Sequence, residues 1–315
     1  MPPDAGIGDR TPPAAGDPRH QSASARGDQA LYFEIGYRPP LDWDALLGFL
    51  AGRAIDGVEA VDNPTYLRSL CIAGPRKRYR GWLAVTPHAR RPALKVALSP
   101  ALEPVVPQVL DRIARMFDLD CNPDEVAAAL GSLARARPGL RLPGAFDGFE
   151  VAVRAVLGQQ ITVKAARTLA GRFVTAFGEP VETPFPGVAR LFPTPARIAG
   201  LDTSHIAERG VIATRARSII ALAQALGTGQ LVLDPQAPVD ETVGRLRKVP
   251  GVGDWTAQYI AMRALSWQDA FPASDYGVLK AMGETDPRRA LHRAQAWRPW
   301  RAYAVIHLWK SLEDS

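Results

Sequence analysis

Residues 246–257 read Leu246-Arg247-Lys248-Val249-Pro250-Gly251-Val252-Gly253-Asp254-Trp255-Thr256-Ala257, and the reading of this stretch decides the fold. Apolar residues recur at helical spacing on both sides of it, over 240–248 and 254–265. Pro250 ends the first helix, because proline lacks an amide hydrogen and clashes with the preceding turn. Gly251 and Gly253 allow backbone angles that other residues resist, and their missing side chains let another backbone come close. The second helix then begins with free N–H groups pointing outward, a ready site for an anion. Such a hairpin grips one phosphodiester strand through its backbone without reading bases. It would use Arg247, Lys248, Val249, Gly251, Val252, Gly253 and Thr256. A plain glycine turn in a helical bundle is the competing reading, and the Val-Pro-Gly-Val-Gly order between two helices disfavours it.

Aromatic residues crowd the same region. Of seven tryptophans, five lie beyond residue 250: Trp255, Trp267, Trp297, Trp300 and Trp309. Trp297 and Trp300 read as core packing. Trp255 and Tyr259 stand one helical turn apart and share a face. An aromatic face beside a phosphate grip suits a stacked nucleobase. Further on, Phe271-Pro272-Ala273-Ser274-Asp275-Tyr276 is a proline-broken loop that delivers Asp275 to the start of a helix, 22 residues after Gly253. A helix-capping aspartate is the plain alternative there, and the hairpin upstream favours a chemical role. Asp269 is a rival carboxylate, but it precedes the loop.

The 315 residues carry 38 basic and 32 acidic side chains, a net charge of +6, which permits a polyanionic partner without demanding one. Two cysteines, Cys71 and Cys121, exclude a disulfide framework and a four-cysteine zinc or iron–sulfur site. The five histidines show no metal-ligand spacing, so a dedicated metalloenzyme is not expected. No apolar run approaches the roughly 18–20 residues of a membrane span, and Met1-Pro2-Pro3-Asp4 lacks a secretory signature. A cytoplasmic location without membrane contact is therefore expected.

Residues 1–29, rich in proline, glycine, alanine and serine, read as a disordered tail of charge −1, which leaves +7 on the remainder. From Leu31 a different pattern starts. Strand candidates lie at 31–35, 58–62, 66–73, 80–86 and 94–98, with a helix capped by Asp42 or Asp44 after the first and another through Val105, Val109, Ile113 and Phe117 at the end. The order β-α-β-β-β-β-α predicts a small antiparallel sheet with two helices over 30–118. Helical patterns then dominate: 124–136, 146–157, 161–177, 208–226, 240–248, 254–265, 275–283, 287–296 and 299–312, with a proline-rich interruption at 178–200. Residues 119–315 are thus expected to form one all-helical unit, and the fold class is α+β.

These motifs, taken in order, resemble the helix-hairpin-helix DNA glycosylase superfamily, and within it the AlkA family, bacterial DNA-3-methyladenine glycosylase II. The likeness spans nearly all of residues 30–315: LDWDALLGFLAGRA, LSPALEPV, FDLDCNP, ARPGLRLPGAFDGFEVAVRAVLGQQ, FPTPARIAG, VPGVGDWTAQYIAMRAL, FPASDYGVLK and WRPWRAYAVIHLW. The resemblance implies that residues 30–118 are similar to one half of a TATA-binding-protein fold. It implies that Asp275 is catalytic and that Trp255, Tyr259, Tyr276 and Trp309 form the pocket for a flipped base. It also implies a hairpin that holds a phosphate, together with a structural monovalent cation on the carbonyls of Arg247, Val249 and Val252; no other cofactor is required. Superfamily members that cut the DNA strand carry a lysine two positions after Gly253, where this chain has Trp255. The resemblance therefore implies a monofunctional enzyme that hydrolytically excises alkylated purines of the 3-methyladenine and 7-methylguanine type from duplex DNA, as a nucleoid-associated bacterial monomer. The duplex wedge maps onto Gln160 in Gly158-Gln159-Gln160-Ile161, where the family's best-known member has leucine. Asp254, acidic beside a phosphate grip, is expected to turn its side chain away. A non-catalytic protein that binds damaged DNA through its hairpin is the alternative; it would need neither the pocket aromatics nor Asp275.

Overall fold

The computed structural model describes residues 20–23, 30–74 and 76–313. The first part is a six-stranded sheet of β1 (His20–Ala23), β2 (Leu31–Gly36), β3 (Glu59–Asp62), β4 (Thr65–Ala73), β5 (Arg78–Pro87) and β6 (Ala93–Leu98). The spatial order is β1-β2-β6-β5-β4-β3, and every neighbouring pair is antiparallel. The helices α1 (Trp43–Ala51) and α2 (Val106–Met116) complete the expected β-α-β-β-β-β-α order. Strand alternation builds the core: Leu94, Val96 and Leu98 are buried on β6 while Lys95 faces out. They pack with Leu31, Ile35, Leu83 and Val85 against Trp43, Leu46, Leu47 and Leu50 of α1 and Val109 and Ile113 of α2. Asp42, not Asp44, caps α1, accepting from the Ala45 amide at 2.9 Å.

β1 corrects one expectation. Residues 20–23, placed by the sequence in a disordered tail, pair with β2 from His20 opposite Ile35 to Ala23 opposite Tyr32. The other edge of β2 is taken by β6, so β1 covers the backbone groups that β2 would otherwise leave open. The rest of the stretch 1–29 lies outside the described residues.

The helical part runs through α3 (Pro123–Leu130), α4 (Ser132–Arg135), α5 (Gly148–Leu157), α6 (Val163–Phe177), α7 (Pro195–Ala199), α8 (Thr203–Ala207), α9 (Ala213–Gly227), α10 (Val239–Leu246), α11 (Asp254–Ala264), α12 (Tyr276–Met282), α13 (Pro287–Arg293) and α14 (Arg301–Glu313). The single helix expected over 124–136 is broken at Gly131, whose φ of +58° is left-handed. The helix expected over 208–226 begins only at Ala213, after Gly210 turns the chain with φ +86°. The interruption at 178–200 straps the two parts together. The Gly57 amide donates to Gly187 O at 3.1 Å, and the Ala189 and Arg190 amides donate to Gly57 O at 2.8 Å.

The helices share two cores instead of one. The first gathers α5, α6, α9 and one side of α11. The second gathers residues 121–142, the other side of α11, and α12–α14. α11 is apolar around most of its circumference, with Thr256, Ala257 and Ile260 to Ala264 all buried, so it sits between them. The chain thus returns after 262 to pack on residues 121–142, and no local pattern announces that return. No described helix is long and apolar enough to cross a membrane.

A buried ion network joins the sheet to the helices. Arg68 of β4 meets Glu150 of α5 at 2.7 Å, and Glu150 also meets Arg154 at 2.7 Å. Arg154 reaches back to Glu59 of β3 and donates to Arg53 O at 2.6 Å, and Tyr66 donates to Glu59. The guanidiniums hold the Glu150 carboxyl below its ordinary value against the opposing effect of burial. On the opposite face of β4, Ser69 donates to Arg190 O at 2.5 Å. At the end of α2, Asp118 takes a left-handed φ of +53° and accepts from Tyr303 of α14 at 2.7 Å and the Leu142 amide at 3.2 Å.

Removing one partner strands the buried charges of the others. Glu150→Ala should lower unfolding free energy by roughly 3–5 kcal/mol, read by urea denaturation. The paired Arg68→Met and Glu150→Leu replacement should lose less.

Burial pushes Asp118 up to about 6 from an ordinary 3.8, with the hydrogen bonds from Tyr303 and Leu142 opposing it. The folded chain therefore keeps this proton where the unfolded chain has released it, and the carboxyl's contribution to stability falls as pH rises from about 4 to about 6. Relative to Asp118→Asn, the unsubstituted chain should gain about 2 kcal/mol on going from pH 6.5 to pH 4. Equal slopes of the two urea midpoints would contradict this.

Candidate active site

The Phe271–Tyr276 loop turns at Pro272, whose carbonyl accepts the Asp275 amide at 2.9 Å, and sets Asp275 as the cap of α12. Asp275 Oδ1 accepts the Val278 amide at 2.9 Å and Trp309 Nε1 at 2.8 Å. Oδ2 accepts Trp255 Nε1 at 2.9 Å. The capping and chemical readings of Asp275 are therefore compatible. One backbone amide and two indoles fix a half-buried carboxylate that still lines a cavity. Asp269 is spent elsewhere: it is 7% exposed and is held by Arg301 at 2.6 and 2.8 Å and by Arg298 at 2.9 Å.

That cavity holds about 440 Å³ and lies between the sheet and the two helical cores. The four expected aromatics, Trp255, Tyr259, Tyr276 and Trp309, all line it. Trp255 stacks on Tyr259 with ring centres 5.4 Å apart and planes 11° from parallel. Trp309 stacks on Phe49 at 6.5 Å and 14°, and Tyr259 tilts against Trp309 at 6.4 Å. Tyr276, 79% exposed, stands at the rim and not inside. Trp297 and Trp300 pack on the second helical core, as read from the sequence.

The inner wall is more polar than a purely aromatic pocket. Phe49 and Arg53, one turn apart on α1, enter from the first domain, and Arg53 lies over the Phe49 ring at 3.8 Å. Arg263 of α11 donates to Tyr259 Oη at 2.8 Å and to the carbonyls of Pro143 and Gly144. Burial would raise the Tyr259 phenol, but the guanidiniums of Arg263, Arg53 and Arg154 outweigh it and hold the phenol below its ordinary value. Among the described residues, neither Arg53 nor Arg263 has a carboxylate within ion-pair distance. Phe49, Arg53 and Arg263 are functional candidates that the sequence reading missed. The only signal was the i, i+4 pairing of Phe49 and Arg53 inside an ordinary amphipathic helix. Gly277 also lines the cavity. A Cβ there would come within 3.0 Å of Trp309 Cδ1 and 3.2 Å of Asp275 Oδ1.

The hairpin joins α10 to α11 as expected, with one revision. Gly251 has a φ of +78°, and a Cβ on it would strike Ser218 Oγ at 2.3 Å. Gly253 is different: its φ of −82° suits any residue, and its missing Cβ leaves open space. What Gly253 contributes is therefore open space above the turn, not conformational freedom. Among the described residues, no hydrogen bond occupies the amides of Gly251, Gly253 or Asp254. Arg247 and Lys248 are exposed, while Val249 and Val252 are buried and anchor the turn. Asp254 does turn its side chain away, onto Arg247, with Arg247 Nε 3.0 Å from Oδ1. Thr256, expected among the phosphate-binding residues, is 3% exposed, so its hydroxyl is not at the surface of the hairpin. Gln160 projects from the α5–α6 connection with a left-handed φ of +54°, a conformation costing a non-glycine residue about 1–2 kcal/mol.

The AlkA N-terminal domain family matches residues 32–147, and the HhH-GPD superfamily of base excision DNA repair proteins matches residues 153–299. DNA-3-methyladenine glycosylase 2 of Escherichia coli is 40% identical over 88% of this chain and 96% of its own length. The chain belongs to the AlkA family of base excision repair glycosylases. A second AlkA-family relative, a probable bifunctional transcriptional activator/DNA repair enzyme of Mycobacterium tuberculosis, is 38% identical over 94% of this chain and 60% of its own length. The 3-methyladenine DNA-glycosylase of Archaeoglobus fulgidus superposes with a TM-score of 0.73 over 88% of this chain and 97% of its own, at 20% identity, a likeness of fold.

The indole donors should be separable from the pocket's shape. Trp309→Phe keeps a ring but removes one N–H from the carboxylate, a bond of about 1.5–3 kcal/mol. Single-turnover base excision should fall about 10- to 100-fold with little change in thermal stability. Gly277→Ala should fall in the same direction by pressing on Trp309 and Asp275. Undiminished excision by both variants would detach Asp275's setting from the chemistry.

Proposed function

We propose that the chain is a monofunctional DNA glycosylase that flips alkylated purines of the 3-methyladenine and 7-methylguanine type out of duplex DNA and hydrolyses the N-glycosidic bond. The observation that carries this reading is the Asp275 carboxylate held by two indoles and an amide at the wall of an aromatic cavity. A base inside a duplex is out of reach, so it must leave the stack. Alkylation at N3 or N7 places positive charge on the purine, which then departs without a general acid. Aromatic faces favour such a ring by roughly 0.5–2 kcal/mol per good contact, and Arg53 and Arg263 offer donors to an acceptor edge such as a purine carbonyl. Asp275 stabilises the developing oxocarbenium sugar and orients the attacking water.

Several further features support this reading. Among the described residues no lysine lines the cavity, so no amine is placed to form a Schiff base and cut the strand. The free amides of the hairpin and of the first turn of α11 suit one phosphate of double-stranded DNA. The hairpin also fits the family's monovalent cation: the carbonyls of Arg247 and Val252 accept no hydrogen bond among the described residues, while that of Val249 accepts the Val252 amide at 3.0 Å. Bound there, the ion would add positive charge beside the phosphate. Gln160 would occupy the gap left by the flipped base. The protein would work as a monomer on the bacterial chromosome, in the cytoplasm.

Purified protein incubated with methylated duplex DNA should release 3-methyladenine and 7-methylguanine, identified by chromatography. Asp275→Asn should release them at least about 100-fold more slowly, the scale of a lost electrostatic stabiliser. The strand should stay intact until base or heat is added. Absence of release from the unsubstituted protein would leave only DNA binding, and a spontaneous strand break would refute the monofunctional reading.

A further inference from the structure

The loop that carries Gln160 is bolted to the phosphate-gripping hairpin. Gln159, its neighbour, makes the connection. Its Nε2 donates to Gly251 O at 2.9 Å and to Thr256 Oγ1 at 3.0 Å. The Gln159 carbonyl, part of the peptide that leads into Gln160, accepts from Arg215 of α9. One turn further along α9, Ser218 lies directly under Gly251. The same stretch of α9 therefore seats both the hairpin tip and the Gln160 loop, and Gln159 ties the two to each other.

We propose that Gln159 and Arg215 are positioning residues that couple phosphate capture at the hairpin to insertion of Gln160 into the duplex. The inference rests on reading Gln160 as the wedge of a base-flipping enzyme. Its physical basis is the backbone of Gln160. A left-handed φ is unfavourable for glutamine and persists only where the surroundings hold it. Arg215 immobilises the preceding peptide, and the two hydrogen bonds of the Gln159 side chain fix that peptide's distance from Gly251. A phosphate that orders the Gly251–Gly253 amides thereby also orders the loop that must enter the stack. Thr256, an expected phosphate ligand, acquires a defined part: its buried hydroxyl is the inner anchor of this tie.

The coupling predicts a split between grip and flipping. The full-length protein would be mixed with a duplex carrying 7-methylguanine beside 2-aminopurine, whose fluorescence rises on unstacking. Affinity for undamaged duplex would be measured in parallel. Gln159→Ala and the similarly sized, uncharged Gln159→Met, which lacks the N–H donors, should slow the fluorescence step and single-turnover excision about 10- to 100-fold, the worth of two lost hydrogen bonds. Affinity for undamaged duplex should stay within about twofold, because the hairpin amides are untouched. Arg215→Met should behave like Gln159→Ala, and Arg215→Lys, which can still donate to the carbonyl, should restore most of the rate. Flipping as fast as in the unsubstituted protein overturns the proposal and leaves the glycosylase reading intact. A parallel loss of affinity and flipping also overturns it, because the two residues would then belong to the grip itself. If the Gln159 variants do not fold, the Arg215→Met and Arg215→Lys comparison decides the matter. If the unsubstituted protein does not excise, the glycosylase reading falls, and the fluorescence step still reports whether the tie governs unstacking.

Discussion

A charge taken out of water must be met by opposite charge and by donors, and Glu150 imposes that condition on the whole molecule. Its carboxylate, from a helix of the first helical core, is satisfied by Arg154 on its own helix and by Arg68 from the sheet. Arg154 in turn requires Glu59 and the carbonyl of Arg53. The two parts of the chain therefore cannot separate without stranding buried charge. Because they are locked at this angle, the α1 helix delivers Phe49 and Arg53 to a cavity whose facing walls come from residues about 100 positions later, such as Phe146 and Ala155, and more than 200 later, such as Trp255 and Trp309. The cavity is a consequence of the domain contact.

Asp275 meets a related demand at smaller scale. An acid that is to stabilise a cationic sugar has to stay charged while water is excluded. Two indole N–H groups and a helix-start amide donate to the Asp275 carboxylate without supplying a counter-charge that would cancel its effect. Tryptophan suits the task because its one donor sits on a broad apolar body. The same residues that hold the carboxylate can thus also form the surface on which a base rests. Trp255 and Trp309 both donate to Asp275 and both present their rings to the cavity.

The sequence-legible features were those written in consecutive residues. The Val249–Gly253 turn, the five strands of the first domain, the Asp275 loop and the α+β division follow from local conformational preference, and the structure agrees with them. The misreadings share a different cause. Of the two roles the sequence offers for Gly253, backbone freedom and a missing side chain, the first is not used, because its backbone is ordinary, and the second is, because a Cβ there would meet open space. β1 forms because an edge of β2 lies open beside it, a circumstance with no local pattern. Phe49 and Arg53 looked like any amphipathic helix, since a side chain facing a cavity and one facing solvent share the same period.

By itself, the sequence determined where the Val249–Gly253 turn between two helices lies, which carboxylate follows it, and that no lysine occupies position 255. Each is a matter of residue identity within a few positions, where backbone geometry and side-chain chemistry act directly. Only the tertiary structure decided what surrounds them: the split of the helices into two cores, the indoles on Asp275, the guanidiniums behind Tyr259, and the tie from Gln159 to the hairpin. These depend on which distant segments can bury their charges and apolar faces together, and that choice is settled by the energy of the assembled whole.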